Sequence, residues 1–125
     1  MKKHVPMGVF LKKLVKNAQK ETLEARLLRD IKAVGLPIPE MQYKWHPDRL
    51  FRADYAYPHI KLLIEVDGGQ WQRNTGHNSG TGKDRDCEKD IEAIFHGWKI
   101  FRFPTSMIMD GRAIAYLEKF FDGYK

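Results

Sequence analysis

A chain of 125 residues, 42% hydrophobic and 30% charged, has room for one core and not for two. It contains no apolar run near the roughly 18 residues that cross a bilayer, which excludes a membrane-spanning helix. Its lone cysteine, Cys87, excludes an internal disulfide framework and a cysteine-rich zinc site, while 22 Lys and Arg against 16 acids give a net charge of +6 that favours a polyanionic partner.

The chain opens with MKKHVPMGVFLKKLVKNAQK, where Lys12, Lys13 and Lys16 interrupt any apolar core of a signal peptide. A cytoplasmic location is therefore expected. Phe10, Leu11, Leu14, Val15 and Ala18 recur at helical spacing, and so do Leu23, Leu27, Leu28, Ile31 and Val34 before Gly35 and Pro37. One long or two consecutive amphipathic helices are predicted.

From Met41 the pattern shifts to period two, first in QYKWH and then in LFRADYAY, with Phe51, Ala53, Tyr55 and Tyr57 on one face. Pro47-Asp48 and Pro58-His59 supply turns. Leu62, Leu63, Ile64 and Val66 form a nearly unbroken apolar run, the signature of a central strand buried on both faces. Residues 68 to 83 are polar and glycine-rich and are expected to form a loop that is long for so small a domain.

Cys87, Ile91, Ile94 and Phe95 then mark a helix closed by Gly97. The strand WKIFRF and, after Pro104, one final amphipathic helix through Ile108, Ile114, Leu117, Phe120 and Phe121 complete the order α, β, β, β, α, β, α. This is a mixed α/β (α+β) chain with a central sheet flanked by helices.

The segment LIEVDGGQW places two acids in an apolar strand. Residues i and i+2 of a strand share a face, so Glu65 and Asp67 project together while Val66 packs on the other side. A hairpin about Pro58-His59 would bring Asp54 to them, and three crowded carboxylates repel unless a hard cation lies among them. Mg²⁺ suits such oxygen ligands, with Mn²⁺ as a possible substitute, and phosphodiester hydrolysis is the chemistry implied. A plainer alternative stands beside it: Asp67 begins a turn and Glu65 pairs with a nearby Lys or Arg.

At these residues, RADYAYPHIKLLIEVDGGQW, a polar loop and KDRDCEKDIEAIFHGWKIFRF, the chain resembles the PD-(D/E)XK nuclease superfamily, in particular its small branch related to very-short-patch-repair endonucleases. The resemblance runs from about Glu21 to Phe103. It implies a restriction-endonuclease-like αβββαβ core over residues 21–103, a basic N-terminal helix or arm over 1–20 and a C-terminal helix over 104–125, all in one domain. It also implies a metal-dependent DNA endonuclease in which Asp54 and Glu65 bind the ion, Asp67 assists, and Glu24, a better match than Glu21, completes the acidic shell.

The superfamily's motif lysine is replaced by Asp67, as in the small branch. Gln70 and Lys89 are the candidate replacements, Lys89 lying three residues after Asp86. Arg52, Trp71, Arg73, His77, Lys83 and Arg85 are candidate DNA contacts, mixing basic and aromatic side chains suited to phosphates and bases. Arg102 is a further candidate on the DNA side.

Three other readings are distinct. A DNA-binding module of the same fold without catalysis would lack the lysine and cut nothing. An HNH-type nuclease would use His77, Asn78 and His96, and a structural assembly protein would show no metal-dependent activity. Zinc is poorly served by five scattered histidines. A homodimer or a separate recognition protein would suit so small an enzyme.

Overall fold

The computed structural model describes residues 8, 21–68 and 81–123, and all that follows concerns these. Helix α1 (Leu23–Ala33) begins where the Thr22 hydroxyl accepts the Ala25 N–H at 3.0 Å, a cap worth about 1 kcal/mol. It ends before Gly35, whose φ of 78° terminates the helix without steric cost. Leu27 and Ile31, one turn apart, are fully buried.

Strands β1 (Glu40–Lys44), β2 (Arg52–Tyr57) and β3 (Leu62–Val66) form an antiparallel meander, with the 3₁₀ turn Pro58–Ile60 between the last two. Helix α2 (Thr81–Phe95) lies on the crossover to β4 (Lys99–Phe103), which pairs parallel to β3. The sheet order is β1-β2-β3-β4, so β3 is central as expected, and four of its five residues are buried.

Two helices, α3 (Thr105–Met109) and α4 (Arg112–Asp122), follow where one was predicted. The break falls at Asp110-Gly111, with Gly111 at φ 89°. The Asp110 carboxylate accepts the Arg112 N–H at 3.0 Å there, in competition with helix continuation.

The sheet separates two cores. On one face α1, α3 and α4 bury Leu27, Ile31, Ile108, Ala113 and Leu117 against Tyr55, Tyr57, Leu62, Ile64 and Phe103. On the other, Ala93 of α2 packs over Trp45, Phe51, Ala53, Ala56, Leu63 and Trp98. The alternation expected of Phe51, Ala53, Tyr55 and Tyr57 on one face is thus corrected: the first two belong to the α2 core and the tyrosines to the other.

A second correction concerns α2. The apolar stripe expected to face the core points outward, with Ile91, Ile94 and Phe95 51%, 70% and 75% exposed. The face turned to the sheet carries small Ala93 beside polar Lys89 and Asp90, so contact there is decided by the charges the sheet offers, the Glu65 carboxylate and the Arg102 guanidinium.

Candidate functional site

On the α2 side of the sheet the core gives way to polar groups toward the C-terminal end of β3. Pairing of β2 with β3 stops at Tyr55↔Ile64, and one step further the Asp54 carboxylate itself accepts the Val66 N–H at 2.7 Å. The side chain thus replaces a ladder bond. That same step brings Asp54 to the level of Glu65, as the hairpin reading requires.

Glu65 is 7% exposed and is the one buried charged residue among those described. Lys89, two-thirds of the way along α2, donates to its Oε1 at 2.7 Å and to the Arg52 carbonyl at 3.0 Å. Burial pushes the Glu65 carboxyl up to about 7 against the pull of the Lys89 ammonium, with Asp54 adding repulsion. Arg102 also pulls it down, and burial outweighs both cations.

Asp67 follows β3, its N–H donating to the Phe103 carbonyl at 2.9 Å. Burial raises its carboxyl; Arg102 on β4 opposes this at 3.4 Å, and Asp86 and Asp54 add repulsion. Arg102 is also gripped by Asp90, at 2.5 Å and 3.3 Å through two nitrogens. Sequence reading placed Arg102 toward DNA; in the fold its guanidinium is held between two acids.

Glu24 stands in the first turn of α1, raised by burial and by Asp54. Its carbonyl accepts the Tyr55 hydroxyl at 2.6 Å, which ties the helix to the strand carrying Asp54. Glu21, the alternative weighed for this position, pairs with Arg29 at 3.2 Å.

At Gly68 the chain passes close to two side-chain ends. A Cβ there would lie 2.0 Å from Leu23 Cδ1 and 3.2 Å from Thr105 Oγ1, so the chain leaving Asp67 runs against α1 and α3.

Of the expected DNA contacts, Arg52 and Lys83 are exposed, while the Arg85 guanidinium lies 5.0 Å from the Phe51 ring centroid with Arg49 at 4.3 Å from the same ring. Gln70, Trp71, Arg73, His77 and Asn78 lie outside the described residues, as do Lys2, Lys3, Lys12, Lys13 and Lys16.

The ligand atoms of Asp54, Glu65 and Asp67 do not all fall within 4.8 Å of one another. Among the described residues the trio that does is His46, Glu92 and His96, which the sequence separates widely and which reading by spacing missed. Only the i,i+4 placement of Glu92 and His96 was visible there.

The hydrogen bonds of that trio describe something other than a metal site. His46 Nδ1 accepts two main-chain N–H groups, from Asp48 at 3.0 Å and Arg49 at 2.9 Å, so in this arrangement the ring proton is on Nε2, facing Glu92 Oε1 at 2.6 Å. A ligating Nε2 would need that proton on Nδ1, where two donors already point. His46 serves as a cap for the Pro47-Asp48 turn and anchors it to α2.

The Asp54 and Glu65 region has the opposite character. Its donors are hard oxygens, with Glu65 buried and paired to Lys89, and one or two carboxylates with water and a phosphate suffice for Mg²⁺. These residues fit a divalent ion.

Comparison with protein-family models, with curated proteins and with solved structures found no match. Among the described residues no helix is long and apolar enough to cross a membrane.

Proposed function

We propose that the chain is a Mg²⁺-dependent DNA endonuclease with a restriction-endonuclease-like site. The observation that carries this reading is Lys89: it reaches from α2 to within 2.7 Å of Glu65, beside Asp54, and so supplies from a helix the cation that Asp67 displaces from the strand. Asp54 and Glu65 would hold the ion. When bound, Mg²⁺ would polarise the phosphodiester and make a coordinated water more acidic.

The chain's own groups have separable tasks. Asp54 is held by the Val66 N–H through its Oδ2 oxygen. Lys89 neutralises part of the Glu65 charge and can donate to a phosphate oxygen or to water. Arg102 pairs with Asp67 at 3.4 Å, so in this reading Asp67 assists beside the ion and does not lead in holding it. Gln70 stays a candidate outside the described residues.

A second reading has an observation of its own: because Lys89 already partners Glu65, the same contacts would also serve a fold that binds DNA without cutting. The two are separated by incubating supercoiled, linear and branched DNA with the full chain in Mg²⁺, Mn²⁺ or EDTA, alongside Asp54→Ala, Glu65→Ala and Lys89→Ala. The nuclease reading expects metal-dependent cutting that falls by at least about 100-fold in each variant. Binding without cutting on every substrate would favour the inactive module.

A further inference from the structure

We propose that Gln42, on the edge strand β1, is a positioning residue for Asp54. This rests on the nuclease reading above and deepens it, adding a residue that neither periodicity nor motif points to.

Gln42 lies between the cross-strand pairs Met41↔Tyr55 and Tyr43↔Ala53, which puts it opposite Asp54; the pair Gln42↔Asp54 is itself missing from the ladder. No residue is inserted, yet Gln42 has a φ of 48°. A left-handed residue inside a strand is unfavourable for any side chain with a Cβ, and Gly or Asn would occupy it more easily. A strained residue of this kind beside a candidate site points toward a use for its side chain.

The use is visible in the contacts. Gln42 Nε2 donates to Asp54 Oδ1 at 3.4 Å while the Val66 N–H donates to Oδ2 at 2.7 Å. Each oxygen of the carboxylate therefore has its own donor, one from each flanking strand, and the carboxylate plane is set. Asp54 is opened from the ladder on both sides, and the left-handed turn of Gln42 re-aims its amide toward the gap. Glutamine has the reach to touch Asp54, at the expense of local backbone comfort.

The test separates positioning from stability. Full-length wild type, Gln42→Gly and Asp54→Asn are compared for Mn²⁺ binding by electron paramagnetic resonance titration, for thermal midpoint, and for the Mg²⁺ half-saturation of cleavage. Gln42→Gly is expected to melt no lower than wild type, since glycine relieves the left-handed backbone. It should nonetheless bind Mn²⁺ roughly tenfold more weakly, as is typical when a supporting hydrogen bond is lost, with a matching rise in Mg²⁺ half-saturation.

Wild-type affinity in Gln42→Gly would overturn the proposal while leaving the nuclease reading intact. So would a loss of affinity accompanied by an equal loss of fold. If Asp54→Asn binds Mn²⁺ as wild type does, or wild type binds none, the metal-site reading fails and the role of Gln42 fails with it.

Discussion

At the scale of single residues, Glu65 decides how the site responds to pH. Its carboxyl is pushed up from 4.5 to about 7 by burial, so the folded chain holds this proton over a range where the unfolded chain has released it. Stability from this source is complete below about pH 4.5 and is lost as pH rises toward 7, by about 1.4 kcal/mol for each pH unit crossed. Glu65→Gln removes the ionisation, so in EDTA the wild type should lose thermal stability relative to this variant between pH 5 and about 7. Parallel profiles of the two melting curves would refute it. Position 65 was legible as an acid out of place in an apolar run. Its partner was less so, because Lys89 follows 24 residues later on an element whose rotation no spacing rule supplies.

Among elements, α2 was foreseen as a helix but not in its orientation. Periodicity counts apolar residues and assumes that they face inward, which holds when the neighbouring surface is apolar. Here the sheet presents Glu65, Asp67 and Arg102 in line with the α2 core, and Lys89 and Asp90 answer them. The helix is also fastened through Glu92 to His46, whose ring caps the Pro47-Asp48 turn. His46→Ala removes the acceptor of two main-chain N–H groups and should cost about 1–3 kcal/mol in a denaturant titration. Added Zn²⁺ should leave the wild-type midpoint where it was, since the cap and a ligating Nε2 exclude each other. The division into α3 and α4 was missed for a related reason: Gly111 lies within a run whose apolar spacing continues across it.

For the whole molecule, the strand sequence, the central place of β3 and the nearness of Asp54 to Glu65 all followed from period and turn chemistry. What did not follow was the partition into two cores, because residues alternating along β2 meet different partners once the ladder opens at Asp54. The unequal covering of the sheet has a measurable result. Among the described residues three helices bury one face, while α2 is the one helix over the other and turns Ile94 and Phe95 to solvent. Phe95→Lys is therefore expected to shift the unfolding free energy by no more than about 0.5 kcal/mol, where the inward orientation would require several. Chemical denaturation of this single variant checks it.

The order in which these groups occur along the chain also bears on how the protein is made. Asp54 and Glu65 belong to a hairpin that a ribosome releases early, whereas Lys89 and Arg102 emerge later, on α2 and on the parallel strand β4. Until then these acids lack the Lys89 and Arg102 that flank them in the fold, and a parallel pair across a long crossover closes slowly. Completion of the charged cluster therefore coincides with completion of the sheet.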